Sequence, residues 1–190
     1  MTSRSLFSYF FRLVISMKKF FSFSLLALLL LFLPACAAKD LYVLNESSFF
    51  LVMTNMQYYP EQYIGSTIEY DCFTYELTDI HGNSYICGVR KCSSGYGCTC
   101  GNDTIIGFIL ESEEPLPAPK NQSEDNNDKT WIHVRGMLKS AQKQEITIYA
   151  YTPDGNIDYD TTEILSFLTF QTESVSLIED YSNLHYYVTK

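Results

Sequence analysis

Basic residues are scarce in this chain, and their scarcity limits the partners that it can bind. The 190 residues include 13 Lys+Arg against 22 Asp+Glu, which gives a formal net charge of −9. A nucleic-acid backbone has to be met by clustered Lys and Arg side chains. The acidic composition therefore argues against nucleic acid as a partner.

The chain also lacks the short motifs that carry catalysis in many enzymes. It contains no Gly-x-Ser-x-Gly nucleophile elbow and no glycine-rich phosphate-binding motif. The acidic turn that begins at Asp154 is similar to the opening of an EF-hand, but Tyr159 stands where that calcium loop needs glycine. Glu113 and Glu114 lie in a stretch with the composition of a mobile loop, where acid–base catalysis could not be held in place. We therefore expect a protein that is not an enzyme.

Acidic residues are absent before Asp40, and the first part of the chain has the features of an export signal. Two lysines precede the apolar run 20–33, which is too short to cross a bilayer, where about 20 residues are needed. A basic flank, a short apolar core and a small-residue exit are typical of a secretory signal peptide. We expect residues 1–35 to form this signal, with Met17 as an alternative start of translation.

The exit of the signal reads Leu-Pro-Ala-Cys at residues 33–36 and resembles the bacterial lipobox. In that motif the cysteine is acylated and becomes the first mature residue, so Cys36 is the expected lipidation site. The alternative is an uncleaved membrane anchor made of residues 20–38. In both cases we expect the domain outside the cytoplasm, with the membrane as a partner through the anchor. The lipidated form would be attached to the bacterial cell membrane or the outer membrane.

Removal of residues 1–35 would take away four basic residues and no acidic one. The remaining nine Lys+Arg against 22 Asp+Glu give a net charge of −13. Anionic lipid would repel such a surface, so the acyl chains rather than a basic patch have to provide the anchoring.

The rest of the chain has the pattern of a β-rich domain, because its 15 Tyr and 13 Phe favour pleated, half-buried surfaces. Alternation from Thr67 onward predicts a strand that bends near Cys72, where the apolar set changes from even to odd positions. The sequence from Pro60 to Gly65 predicts a short helical turn. Further strands are expected at residues 84–90, 104–110, 131–138, 145–152 and 165–178, the last as one strand or two.

The predicted domain organisation has three parts. Residues 1–35 are the signal peptide, residues 36–54 are the lipidated N-terminus and a tether, and residues 55–190 are the β-domain. Within that domain, residues 111–130 contain proline, acids and asparagine with almost nothing apolar, which predicts a mobile acidic loop.

Several separated motifs resemble those of one bacterial family. The phrase Pro60-Glu61-x-Tyr63-x-Gly65 is similar to the opening of many small bacterial OB-like barrels. The motifs that follow it in order are Gly88-x-Arg90, Cys98-x-Cys100-x-Asn102-Asp103, Trp131-Ile132-x-Val134-x-Gly136 and Tyr186-Tyr187. This family is the extracytoplasmic half of small two-transmembrane bacterial proteins of unknown function, usually paired with a permease.

The resemblance covers roughly residues 55–187. It implies a mainly β fold, a small OB-like β-barrel of five to six strands with one short helix. It also implies a permease or another envelope protein as a partner. The chain departs from the family in its opened cysteine pair, in the additional Cys87 and Cys92, and in a lipobox where the family has two membrane helices.

The cysteines carry the remaining chemistry, and two interpretations of them stay open. Four fall within fourteen residues: Cys87, Cys92, Cys98 and Cys100. In an exported domain they can form structural disulfides, whose connectivity the sequence does not determine. Alternatively they bind a metal ion, for which zinc fits, because four thiolates, or three with His or Asp, satisfy tetrahedral coordination. Thiol–disulfide exchange by Cys98 and Cys100 is a third interpretation, although no thioredoxin-like βαβ pattern accompanies them.

Three further residues are candidate metal ligands. Asp103 occupies the position of the family's aspartate, and the resemblance makes it the oxygen-ligand candidate. His81 lies in a predicted turn and His133 in a predicted strand. Together these observations predict a non-enzymatic, membrane-anchored envelope lipoprotein that binds a metal ion or a partner protein as a transport accessory. The alternative is a disulfide-stapled structural or interaction module with no ligand.

Overall fold

The computed structural model describes residues 40–92, 104–123, 126–152 and 156–188, which fold mainly as β-structure. Two helices are present in this part of the chain, α1 (Phe49–Tyr58) and a 3₁₀ helix (Pro60–Gln62). The strands are β1 (Leu41–Leu44), β2 (Thr67–Thr78), β3 (Ser84–Cys92), β4 (Thr104–Glu111), β5 (Trp131–Leu138), β6 (Gln144–Tyr151), β7 (Ile157–Leu177) and β8 (Tyr187–Val188). The predicted mainly β fold is confirmed, and β1, β8 and α1 add to the predicted elements.

Five of the strands are joined in a closed cycle of pairings, which we call the ring. Strand β2 pairs with β3, β3 with β4, β4 with β7, β7 with β5, and β5 with β2. The β4–β7 pairing is parallel and the other four are antiparallel. The short strands β1 and β8 add in parallel to β2 and β3, and β6 pairs with the first half of β7.

Strand β2 closes the ring because it changes partner in its middle. Residues 68–73 pair with β5 and residues 73–78 pair with β3. Side chains on successive residues point to opposite faces of a strand. The apolar set accordingly changes from Tyr70 and Cys72 in one buried cluster to Phe73 in another. This exchange of partners lies where the change of apolar set predicted a bend.

Two buried clusters cover the two faces of the ring strands. The first cluster joins aromatic side chains of the ring, such as Phe108 and Phe170, to Phe49 and Met53 of α1. The second cluster joins the opposite faces of β2, β3 and β4 to β6 and to the segment between β7 and β8. Strand β3 is therefore buried on both faces, and its odd-numbered Cys87 belongs to the second cluster while Cys92 belongs to the first.

The segment expected to be a tether is largely folded. Strand β1 pairs with β2 from Leu41↔Thr67 to Leu44↔Tyr70, and α1 buries Phe49, Met53 and Met56. The sequence did not predict α1, because its first half is apolar at nearly every position and so has no helical period. Neither helix in the described part of the chain is long and apolar enough to span a membrane.

The expected mobility of the segment 111–130 stays a prediction, and its described residues after Glu111 form no helix or strand. Its described residues make specific contacts with the rest of the fold. The Glu76 backbone N–H donates to Gln122 Oε1 at 2.5 Å, and Asn127 Nδ2 donates to the Leu184 carbonyl at 2.9 Å. Composition did not predict these contacts, because polar side chains can either remain solvated or form hydrogen bonds with backbone groups elsewhere in the fold.

Candidate functional site

The predicted cysteine site is only partly within the described residues, since Cys98, Cys100 and Asp103 lie outside them. Cys87 and Cys92 are five positions apart on β3, so their side chains leave opposite faces of the strand. They lie in the second and the first buried cluster, respectively. A single metal ion could not bind both without a distortion of β3. A metal or disulfide role for the segment as a whole stays a prediction.

The buried thiols of Cys72 and Cys87 have the chemistry of core residues. Neither forms a disulfide, and both have no exposed surface. Burial raises the pKa of the Cys87 thiol from 9.0 to about 12. Burial also raises the pKa of Cys72 well above its usual value, against the opposing effect of the nearby Arg90 charge. Both groups are therefore protonated at neutral pH and are poor nucleophiles and metal ligands.

The two histidine candidates lie at different places in the fold. His81 is exposed in the turn between β2 and β3, where its backbone N–H donates to Asp79 Oδ1 at 2.8 Å. His133 on β5 pairs with Asp71 on β2, with 2.7 Å between Nδ1 and Oδ1. Within the ranges that the structure describes, no group of three or more His, Cys, Asp or Glu side chains is arranged to hold a metal ion.

The structure shows a buried charge that sequence reasoning left without a role. The Arg90 side chain on β3 is 1% exposed and forms a bidentate ion pair with Glu46, with Nη1–Oε1 and Nη2–Oε2 distances of 2.8 and 2.9 Å. Nη2 also donates to the His185 carbonyl, and Nη1 lies 3.4 Å from the Asp71 carbonyl. One guanidinium thus connects the segment between β1 and α1, the ring, and the segment that leads to β8.

Aromatic rings cover both sides of this guanidinium. The Arg90 Cζ atom lies 5.2 Å from the centre of the Phe49 ring and 4.9 Å from that of Trp131. Such contacts stabilise a cation that has been removed from water. The arrangement clamps three parts of the chain together.

The C-terminal segment covers the neighbouring part of the ring with aromatic rings. Tyr186 stacks on Phe73 with 5.3 Å between ring centres, and Tyr181 stacks on Trp131 at 6.3 Å. The Lys91 ammonium lies 5.6 Å from the Tyr186 ring. The second cluster is therefore closed by the chain itself at this end.

An open cleft of about 700 Å³ lies between the start of β3 and the segment that follows β4. Three carboxylates line it, from Glu111, Glu113 and Glu114, together with hydroxyl and amide groups. The Glu111 carboxylate is bound by Lys139 Nζ at 2.6 and 2.9 Å. The cleft presents polar groups to solvent.

Comparison with known families supports the family resemblance of the sequence. The model of the DUF1980 C-terminal domain family matches residues 32–153, which is more than half of the chain. The chain belongs to this family. This match confirms the prediction that the chain is a member of a family of unknown function. No curated protein and no solved structure matches the chain.

Sequence reasoning found the position of Arg90 but not its role. Gly88-x-Arg90 was among the motifs that carried the family resemblance, whereas Glu46 was not singled out. The useful signal was a lone arginine in a strand with buried neighbours, since such a charge needs a partner brought from elsewhere in the fold. The partner itself could not be predicted, because Glu46 is 44 residues away along the chain.

Proposed function

We propose that this DUF1980 C-terminal domain is a non-enzymatic lipoprotein of the bacterial envelope that binds a partner protein at the membrane surface. Cys36 carries the lipid anchor, and the domain lies outside the cytoplasm. The partner is a permease or another envelope protein, which makes the domain an accessory to transport.

The short link between the anchor and the fold carries this proposal. Four residues separate Cys36 from Leu41, the first residue of β1. A fully extended chain covers about 3.6 Å per residue, so this link reaches less than about 20 Å. The described fold begins directly after this link, with the pairing of β1 to β2 from Leu41 onward. An acylated Cys36 would therefore hold the domain close to the lipid headgroups, within reach of integral membrane proteins.

We further propose that the ring is an OB-like barrel. The cyclic order β2-β3-β4-β7-β5 and the parallel β4–β7 pairing support this interpretation. OB-folds bind oligonucleotides and oligosaccharides on the face of their second and third strands and the adjoining loops. The corresponding strands here are β3 and β4, and their side chains in the second cluster are covered by β6 and by the C-terminal segment. We therefore place partner binding on another surface.

Labelling with radioactive palmitate in a bacterial host tests the anchor. We expect label in the wild-type chain and its loss in Cys36→Ser, with the unlabelled chain retaining its signal peptide. Ala38→Ser is the matched control, because it changes a residue next to the lipobox and leaves the cysteine in place. Label that persists in Cys36→Ser would contradict the proposal.

The metal-binding and disulfide alternatives concern the end of β3. Cys92 is its last residue and precedes Cys98 and Cys100 by six and eight positions. Zinc and free thiols can be counted in a soluble version of residues 37–190. About one zinc per chain, with thiols that become reactive after chelation, would favour a metal site. Absence of zinc together with thiols released only by a reductant would favour a stapled module.

A further inference from the structure

Strand β6 and the first half of β7 form a two-stranded extension of the ring, which we call the arm (residues 144–151 and 157–167). Their pairing runs from Gln144↔Phe167 to Tyr151↔Ile157. The ring pairings of β7 begin only after the arm, at Leu168 with β4 and at Phe170 with β5. The arm is therefore an addition to the ring and is not needed for its closure.

The inner face of the arm holds it in place. Ile146, Ile148 and Ala150 alternate along β6 and are all buried, the first two in the second cluster. The Ile80 backbone N–H of the β2–β3 turn donates to the Thr147 carbonyl at 3.0 Å. The arm is thus a positioned element with one face committed to the core.

The outer face of the arm exposes large apolar side chains. Tyr151 is 60% exposed, and it lies opposite Ile157, which is 47% exposed. Tyr159 is 70% exposed and packs edge-on against Tyr149, with ring centres 5.1 Å apart. Ile164 on the same face is 64% exposed. Grouped exposure of this kind marks a binding surface more often than scattered single residues do.

The charge around this face has one sign. The arm carries the carboxylates of Glu145, Asp158, Asp160 and Glu163, and the sequence from 144 to 166 has no Lys, Arg or His. Glu145 lies opposite Ser166 on the outer face, next to the pair of Thr147 and Ile164, whereas Asp158 and Glu163 lie opposite the buried Ala150 and Ile148 of the inner face. A second copy of the arm, a nucleic acid or an anionic bilayer would be repelled by these charges, whereas a cationic surface would be attracted.

We infer that the outer face of the arm docks a cationic, apolar segment of a partner protein, in which Lys or Arg side chains alternate with large apolar ones. The exposed Tyr and Ile side chains receive the apolar residues, and the Glu145 carboxylate together with the net negative charge of the arm attracts the ammonium or guanidinium groups. This inference identifies the surface of the domain that would bind the partner of the proposed function. It rests on the proposed function only for the location of that partner at the membrane.

Fluorescence anisotropy with a labelled synthetic peptide that alternates lysine with phenylalanine tests the inference on the purified full chain in non-ionic detergent. We expect Tyr159→Ser and Ile164→Ser each to weaken binding by about five- to tenfold, as for residues at the centre of an interface. Leu177→Ser is the matched control, because Leu177 is 62% exposed at the end of β7 outside the arm, and it should leave binding unchanged. Equal binding by the arm variants and the wild type would overturn the inference.

Charge is tested separately with Glu145→Gln, which removes the carboxylate of the outer face and keeps the size of the side chain. We expect it to weaken binding and to reduce its sensitivity to salt, because it removes an attractive charge. A peptide with glutamate in place of lysine should not bind. Equal affinity for both peptides, arm-dependent association of the chain with itself, or arm-dependent binding to vesicles containing anionic lipid would each overturn the inference.

The failure of this inference can be distinguished from failure of the proposed function. The peptide measurement does not require acylation, so Cys36→Ser should bind the peptide as the wild type does. Palmitate labelling without arm-dependent peptide binding would leave the anchor intact and reject the docking surface. Peptide binding without palmitate labelling would support the docking surface and reject the lipid anchor.

Discussion

Arg90 and Glu46 form an ion pair whose two partners differ in burial, since the Arg90 side chain is 1% exposed and that of Glu46 is 34% exposed. The pair joins β3 to the segment that connects β1 and α1. Removal of one partner from a buried pair is costly mainly because it leaves the other charge buried and uncompensated. The unequal burial therefore predicts unequal effects of the two substitutions.

Glu46→Ala leaves a buried guanidinium without its carboxylate, and we expect it to lower the free energy of unfolding by about 3 kcal/mol. Arg90→Met leaves a carboxylate that can still reach water and fills much of the vacated volume, so we expect a smaller loss of about 1–2 kcal/mol. Urea unfolding of residues 37–190 measures both values. A larger loss for Arg90→Met than for Glu46→Ala would contradict the role given to the pair.

Because the Cys87 thiol is buried, we expect the free energy of unfolding to depend on pH in the alkaline range. Burial raises its pKa in the folded state from 9.0 to about 12. Below pH 9 the thiol is protonated in both states, so its contribution to stability is fully present. Between pH 9 and 12 the unfolded chain loses this proton and the folded chain keeps it, so stability falls by up to about 1.4 kcal/mol per pH unit.

The difference in unfolding free energy between the wild type and Cys87→Ala isolates this contribution, because other titrating groups cancel in the difference. We expect the advantage of the wild type to shrink steadily above pH 9. An advantage that stays constant up to pH 11 would show that Cys87 is not a buried, protonated thiol in the folded domain.

Gly136 predicts a strict limit on side-chain size in β5. It lies where the pairing of β5 with β7 shifts register, and a Cβ atom there would come within 2.1 Å of the Gln171 carbonyl oxygen. Neither backbone can move without breaking the ring, so we expect Gly136→Ala to cost about 3 kcal/mol or to prevent folding. The half-buried neighbour Met137 provides a control, because Met137→Ala creates no such clash. Similar unfolding midpoints for both variants would contradict this packing.

Alternation in the sequence predicted strand β2, because a strand with one buried face has a period of two. The change of apolar set at Phe73 even located the place where β2 exchanges partners. The short strands β1 and β8 could not be predicted, since their parallel pairings join residues that are distant in sequence. Helix α1 was missed for a different reason, because its apolar first half has neither a helical period nor a charged face.

The candidate site was less accessible to sequence reasoning than the fold. The cysteine pattern suggested one shared site, but Cys87 and Cys92 lie on opposite faces of β3. Their spacing in the sequence indicates this only when the strand is known to extend to Cys92. The carboxylate partner of Arg90 comes from a segment expected to be a tether. A buried charge indicates that a partner exists, whereas the fold decides which residue provides it.

Mass spectrometry of the amino terminus of the membrane-bound protein shows whether Cys36 carries the lipid anchor. We expect a mature chain that begins at Cys36 and carries acyl groups on that residue. An intact amino terminus without fatty acid, recovered from the cytosolic fraction, would contradict the lipid-anchored, extracytoplasmic function proposed for this domain.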